Sequence, residues 1–137
     1  MALLTNFPLM ALALISYNGL IFGLGGDPVL WQAEIFTLPM MSGALWLYNL
    51  GDLMITVGLV LLFIEILKAT RIGKMSILDH LLSILVLMIF LVEFLMVPAA
   101  STSVFFGLMV MTLIDVMAGL SVSIRSATRD VSLGDSI

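Results

Sequence analysis

Residues 77–104 read ILDHLLSILVLMIFLVEFLMVPAASTSV, and this stretch decides the fold. Its first part is long and apolar enough to cross a bilayer as one helix, because a hydrocarbon core of roughly 30 Å needs about 20 helical residues. Pro98 and the small or hydroxylated residues that follow it, up to Ser103, interrupt the apolar run. Because so short a break permits only a reversal of direction, the stretch predicts two antiparallel membrane helices.

The composition of the whole chain also requires a membrane. Of its 137 residues, 62% are apolar and only 10% are charged, and the mean hydropathy is +1.27. A soluble domain has about 45–50% apolar and about 25% charged residues, so the polar side chains here are too few to cover a surface in water. The absence of cysteine excludes disulfides, Cys-ligated metals and a thiol nucleophile. The net charge of −4 argues against a nucleic-acid partner.

Four apolar segments predict an all-α membrane protein, an antiparallel bundle of four transmembrane helices in a single integral membrane domain that covers residues 1–137. The predicted spans are residues 7–22, 50–69, 77–97 and 104–122. An external segment, 23–49, lies between the first two spans, and a polar cytoplasmic tail, 123–137, follows the fourth. Because no basic region precedes the first apolar run, we predict a retained helix rather than a signal peptide. Glycines that would permit close helix approach are Gly58, Gly107 and Gly119.

The basic residues predict the orientation of the bundle. Lys68, Arg71 and Lys74 lie between spans two and three, and Arg125 and Arg129 follow span four. Four spans put both groups on the same side, whereas the external segment and the turn between spans three and four contain no base. By the positive-inside rule, both termini face the cytoplasm if the membrane is a plasma membrane or a bacterial inner membrane.

The external segment differs from the four apolar spans in its residue pattern. Polar and apolar residues alternate at its start, and Ser42-Gly43 offers a two-residue turn. We therefore predict a short β-hairpin, with an extended lid or an interfacial helix as alternatives. A two-residue turn would pair Pro39 with Trp46. The segment is either a connector that caps the outer mouth of the bundle or a docking surface for a partner membrane protein. Aromatic residues suited to the headgroup belt form the candidate partner surface: Trp31, Trp46 and Tyr48.

Three carboxylates at membrane depth, one in each of the last three spans, form the candidate intramembrane polar site: Glu65, Glu93 and Asp115. An ionised carboxylate at the bilayer centre costs about 2.5–3.5 kcal/mol on insertion scales, so each must pair, become protonated or line a wet path. Lys68, three residues after Glu65, predicts an ion pair. From the outer to the inner leaflet the order of the three is Glu93, Asp115 and Glu65, and such a series would suit a proton or cation path. The other interpretation is three separate helix-packing contacts.

The two remaining carboxylates of this set have candidate hydrogen-bond partners elsewhere in the chain. Glu93 lies shortly before Pro98 and could reach the hydroxyl groups of residues 101–103. Asp115 is the deepest of the three, and its candidate partners lie in the first span: Ser16, Tyr17 and Asn18.

No phosphate-binding loop, zinc-hydrolase motif or nucleophile–base pair occurs in the chain, so we expect no enzyme activity, no metal and no cofactor. His80, next to Asp79, is typical of a helix entry at the interface. Two functions remain. The first is a non-enzymatic accessory, scaffold or assembly subunit, held in the lipid bilayer as a homo-oligomer or within a larger membrane complex. The alternative is a proton- or cation-coupled transporter or channel subunit that uses Glu93, Asp115 and Glu65.

Three stretches also carry a resemblance to a known group of proteins. They are Gly51-Asp52-Leu53, LVLLFIEILKATRIGKMSILDHLLSILVLMIFLVEFLMVPAASTSVFF at residues 59–106, and DVMAGLSVSIRSATRD at residues 115–130. Together they resemble small, uncharacterised four-span inner-membrane proteins of Gram-negative bacteria. The resemblance implies four spans and a bacterial inner membrane, and it implies no activity.

Overall fold

The structure is a computed structural model that describes residues 7–70 and 76–135. Its four helices are α1 (Met10–Gly23), α2 (Leu50–Ala69), α3 (Ser76–Met96) and α4 (Ser103–Asp135). Two strands, β1 (Glu34–Pro39) and β2 (Leu45–Asn49), form an antiparallel sheet between α1 and α2. Short 3-10 helices occupy Pro28–Gln32 and Pro98–Ala100. The predicted helical class, the hairpin and the break at Pro98 are therefore confirmed.

Three of the helices are long and apolar enough to cross a membrane: Leu50–Ala69, Ile77–Met96 and Ser103–Val122. The helix α1 is also apolar but has only 14 residues. At about 1.5 Å per residue it measures about 21 Å, less than a hydrocarbon core of roughly 30 Å. Among the described residues the chain thus has three helices of spanning length and a shorter fourth, which fits a multi-pass membrane protein.

The predicted polar tail, residues 123–137, continues the last helix as far as Asp135. Extending an existing helix adds one hydrogen bond for each residue that is fixed, and no proline follows Val122 to stop it. Residues 136–137 lie outside the described residues, as do Arg71 and Lys74 and the side chains of Arg125 and Arg129.

The interior of the bundle is formed by one stripe on each helix. On α2 the stripe follows a spacing of three or four residues, as expected for one helical face: Met54, Gly58, Leu62 and Glu65. The opposite faces of α2 and α3 expose Leu, Val, Ile, Met and Phe side chains to the surroundings. A helix that is apolar on all sides needs an apolar environment, so these outward faces suit lipid.

Glycines bring α2 and α4 into close contact. A Cβ atom at Gly58 would lie 2.6 Å from Leu108 Cδ2 and 2.9 Å from Met111 Sδ. A Cβ atom at Gly107 would lie 2.8 Å from Ile55 Cδ1. All three distances are shorter than van der Waals contact. The two helices approach this closely because Gly58 and Gly107 have no side chains. The predicted role of these glycines is confirmed.

The end of α1 turns the chain back over the bundle through a Schellman motif. Gly25 has φ +105°, in the left-handed region that glycine adopts without strain, and Gly26 N–H donates to Ile21 O at 2.6 Å. The Asp27 carboxylate then accepts from Val29 N–H at 3.0 Å and starts the first 3-10 helix. This turn carries Trp31 back toward α1.

The hairpin has the predicted strands in a different register. Pro39 pairs with Leu45 instead of Trp46. Met40 N–H donates to Ala44 O at 2.8 Å, which encloses a three-residue loop, and Gly43 in that loop has φ +89°. A three-residue loop with a left-handed glycine at its last position is a common hairpin connection. The predicted two-residue turn was wrong because Gly43 takes that last loop position.

We expect Gly58→Val to destabilise the protein by about 1–3 kcal/mol, because the added atoms overpack the contact between α2 and α4. The matched control is Gly19→Val, since a Cβ atom at Gly19 would meet nothing within 4 Å. Thermal unfolding in mild detergent measures both variants. Equal unfolding temperatures for the two would contradict a tight helix contact at Gly58.

Candidate functional site

Two clusters of polar side chains lie inside the bundle, one toward each end. We call the end at which α1 begins and α2 ends the inner end, and the end that carries the hairpin the outer end. The inner cluster is formed by side chains of α2, α3 and α4 together with the start of α1. Its members are Glu65, Lys68, Asp79, His80, Ser83 and Asp115.

Glu65 joins α2 to the start of α1. Its side chain is 2% exposed, and its carboxylate accepts hydrogen bonds from Leu9 N–H and from Lys68 Nζ, the latter at 3.1 Å. Lys68 Nζ also donates to Phe7 O at 2.7 Å. Leu9 is the N-cap residue of α1 and has no polar side chain of its own to accept from the first N–H groups of the helix. The predicted Glu65–Lys68 ion pair is confirmed, and it also caps a second helix.

Asp115 lies in the same cluster and is 4% exposed. Its carboxyl group interacts with the Ser83 hydroxyl and lies within electrostatic range of Glu65, Lys68 and Asp79. Two carboxylate oxygens of the cluster, Asp115 Oδ2 and Asp79 Oδ1, are buried without a hydrogen-bond partner among the described residues. Buried polar atoms without partners are uncommon in native proteins, so this pair of oxygens needs an explanation.

His80 packs between α3 and α4 at the inner end. A Cβ atom at Gly119 would lie 2.7 Å from both His80 Cε1 and Nδ1, so the glycine makes room for the imidazole ring. Gly119 follows Asp115 by one helical turn, which places His80 on the inner side of the carboxylate cluster.

The outer cluster pairs Glu93 with α1. Asn18 Nδ2 donates to Glu93 Oε2 and to Leu14 O, each at 3.1 Å. The predicted link from Glu93 to the hydroxyl groups of residues 101–103 is therefore wrong, as is the predicted link from Asp115 to Asn18. Asn18 lies at the level of Glu93 because the contacts of Phe7 and Leu9 with Lys68 and Glu65 fix where α1 begins in the bundle.

Tyr17 and Thr102 make a separate polar contact at the outer end. Tyr17 Oη donates to Ala99 O at 2.8 Å and lies 2.7 Å from Thr102 Oγ1. Thr102 Oγ1 accepts from Phe105 N–H at 3.1 Å and so caps α4. Because the Tyr17 proton is committed to Ala99, the Thr102 hydroxyl proton points to Tyr17, and both hydroxyl groups are satisfied. Both are thus unavailable to Asp115.

An apolar layer separates the two clusters. On α3, Ser83 and Glu93 are ten residues apart, about 15 Å along the helix. The buried side chains between them are apolar apart from Thr112, whose hydroxyl donates to Leu108 O at 2.9 Å: Val86 and Phe90 of α3 with Phe105 and Leu108 of α4. Of the three predicted site residues, the structure brings Glu65 and Asp115 together and leaves Glu93 apart.

Of the predicted partner surface, Trp31 is buried while Trp46 and Tyr48 lie on the hairpin. Trp31 is 3% exposed and stacks on Tyr17 with ring centroids 4.5 Å apart, so its prediction as a headgroup-belt residue was wrong. The turn after α1 folds it into the core. Trp46 is exposed, and Tyr48 Oη lies 2.6 Å from Thr56 Oγ1 on α2.

A cleft of about 450 Å³ opens at the outer end, between the first 3-10 helix and the starts of α2 and α4. Asn49, Asp52 and Thr102 in its lining serve as helix caps, whereas Trp31 Nε1 is buried without a hydrogen-bond partner among the described residues. Asn49 Oδ1 accepts from Asp52 N–H at 2.8 Å, and Asp52 Oδ2 accepts from Asn49 N–H at 3.1 Å. This reciprocal cap was not predicted, although the spacing Asn-x-x-Asp before an apolar run is its sequence signal.

Comparisons with protein-family models, curated proteins and solved structures found no match for this chain. Among the described residues, no group of three or more His, Asp or Glu side chains is placed to hold a metal ion. The inner cluster therefore offers proton-binding groups and ion pairs as its chemistry. Asp79 and Ser83 were not predicted as part of it, although their spacing of four puts them on one face of α3.

We expect Lys68→Met to destabilise the protein by about 3 kcal/mol, because it leaves the Glu65 charge buried without its cation. The double variant Glu65→Gln with Lys68→Met removes both charges and should recover a large part of that loss. Unfolding free energies of the wild type, both single variants and the double variant form the required cycle. Additive effects of the two substitutions would show that the pair is not coupled.

Proposed function

We propose that this chain is a non-enzymatic integral membrane protein, an accessory or assembly subunit that docks another membrane protein through its hairpin. In this proposal the chain crosses a bacterial inner membrane four times, with both termini in the cytoplasm, as in the small four-span proteins that it resembles. The observation that carries the docking role is a hairpin that exposes apolar side chains on both faces.

The fourth span in this proposal is α1 with the residues before it. The helix packs against α2, α3 and α4 and runs from the inner to the outer end. Residues 7–9, FPL, precede the short helix and carry apolar side chains. Two spans, α3 and α4, separate Lys68 from Arg125 and Arg129 and place all three on one side, which the positive-inside rule makes cytoplasmic, and a spanning α1 would put the N-terminus on that side too.

One face of the hairpin is turned toward the membrane. Phe36 stacks on Tyr48 with centroids 4.9 Å apart, and Trp46 contacts both rings. The hydrogen bond from Tyr48 to Thr56 fixes this aromatic face against the exposed side of α2. Aromatic rings with polar tips suit the level of the lipid headgroups.

The opposite face points away from α2, because side chains alternate along a strand. It carries Leu45 and Leu47, which are 72% and 49% exposed. A two-stranded hairpin is marginally stable in water, and an exposed apolar patch of this kind marks an interaction site. Lipid can cover only one face of the hairpin, so a protein partner accounts for the other.

Charge favours a different chain over a second copy as the occupant of this face. Residues 23–49 contain two acids, Asp27 and Glu34, and no base, and Asp52 follows at the start of α2. Two copies meeting at their hairpins would bring like charges together without a compensating cation, which opposes association.

The transporter alternative is less well supported. It gains from the meeting of Glu65 and Asp115, but a path across the membrane also needs Glu93. Phe90, Val86 and Leu108 fill the space between them, and such a layer would have to become wet for ions to pass. Protein in liposomes that carried protons or monovalent cations across an imposed potential would favour this alternative over the docking role.

The topology is tested with single cysteines, since the chain contains none of its own. In spheroplasts, a membrane-impermeant maleimide should label Ser42→Cys in the hairpin loop. It should label Ser132→Cys only after the membrane is permeabilised. Labelling of Ser132→Cys in intact spheroplasts would contradict a cytoplasmic C-terminus.

The docking role is tested by photo-cross-linking in cells. A photoreactive residue at Leu47 should give a cross-link to one other integral membrane protein, whereas the same residue at Gln32, exposed but outside the hairpin, should not. Leu45→Lys should weaken the association about tenfold or more, equivalent to about 1.4 kcal/mol, and Gln32→Lys should leave it unchanged. A cross-link to lipid alone would refute docking, and a cross-link of double mass would replace the partner with a second copy.

A further inference from the structure

The inner cluster brings three carboxylates, Glu65, Asp79 and Asp115, together with the side chains of Lys68 and His80. Glu65 is paired with Lys68, which leaves Asp79 and Asp115. Their two orphan oxygens, Asp115 Oδ2 and Asp79 Oδ1, belong to groups within electrostatic range of each other. Two buried acceptors at one place need a donor between them or beside each of them, because an unsatisfied buried polar atom is costly.

The titratable groups that face this place come from three helices. α2 contributes Glu65 and Lys68, α3 contributes Asp79 and His80, and α4 contributes Asp115. The start of α1 contributes backbone groups, which are already bonded to Glu65 and Lys68. With Lys68 committed to Glu65, His80 is the other basic side chain at this place among the described residues.

We propose that Asp115 and Asp79 form a binding site for an exchangeable proton at the inner end of the bundle. A carboxylate that takes up the proton becomes a hydroxyl donor, so one proton removes one negative charge and supplies the missing hydrogen bond. No other bond forms or breaks. The Ser83 hydroxyl, which interacts with Asp115, is a positioning group for the carboxyl.

The site has access from one side only. Asp79 lies in the first turn of α3 and is half-buried, whereas Asp115 is deeper and fully buried. A proton therefore enters from the inner end, past Asp79 and His80. Toward the outer end, Val86, Phe90 and Leu108 close the route. One-sided access is what a proton-responsive switch requires, and it differs from the through-path of a channel.

The site adds to the docking role and does not depend on it. The hairpin lies at the outer end, and the proton site lies at the inner end on the far side of the apolar layer. Hairpin variants such as Leu45→Lys should leave proton binding intact. The two proposals can therefore fail separately.

The experiment is an infrared titration of the protein in lipid vesicles, which follows the C=O stretch of protonated carboxyl groups as the pH is lowered. The wild type should take up about one proton per chain in a transition that depends on Asp115. Asp115→Asn should abolish that uptake. The matched control is Glu93→Gln, which alters a carboxylate with its own amide partner in the outer cluster and should leave the uptake unchanged.

Two further variants test the residues around Asp115, and added salts test whether a metal cation binds in place of the proton. Asp79→Asn should alter the midpoint or amplitude of the same transition, and Ser83→Ala should move the midpoint while the amplitude remains. An unchanged carboxyl signal in Asp115→Asn, with the protein folded by thermal unfolding, would overturn the proposal. Competition of sodium or potassium with the transition at fixed pH would also overturn it, in favour of a metal cation.

Discussion

The bundle depends on the burial of one carboxylate, Glu65. A membrane helix can satisfy its own backbone except at its ends, where the first N–H groups have no partner within the helix. In α1 that end lies inside the bundle, and its N-cap residue, Leu9, has no polar side chain. The acceptor therefore comes from Glu65 of α2. Lys68 balances the charge and holds the preceding carbonyl group of Phe7. This three-way contact fixes the depth of α1, and with it the level at which Tyr17 and Asn18 meet the other helices.

That depth divides the interior into two polar ends with a dry middle. At the outer end, Tyr17 bonds Thr102 and Asn18 bonds Glu93, while Asn18 Oδ1 and Trp31 Nε1 are buried without a partner among the described residues. At the inner end, carboxylates outnumber the cations that face them. The carboxylate of Glu93 thus has an amide partner at the outer end, whereas the carboxyl group of Asp115 keeps an unpartnered oxygen at the inner end. The difference arises because the position of α1 brings Asn18 to Glu93 and brings no such side chain to Asp115 Oδ2.

Much of this arrangement could be read from residue order, and the misses have physical causes. The spans on α2, α3 and α4, the break at Pro98 and the Glu65–Lys68 pair depend on local spacing, which a sequence displays directly. The burial of Trp31 depends on how far the turn after α1 carries the chain back, and the level of Asn18 depends on where α1 begins in the bundle; both are tertiary properties. The hairpin register was missed because Gly43 suits the last position of a three-residue loop as well as a two-residue turn.

The shortness of α1 also affects the order in which the protein can be assembled. Its N-terminal end lacks a polar cap of its own, and the group that supplies one lies in α2, beyond the whole hairpin segment. During synthesis α1 therefore leaves the ribosome well before its cap exists. Its stable placement in the bundle has to wait for α2, because α2 supplies the acceptor for Leu9 N–H, and the hairpin segment is the connection between the two helices.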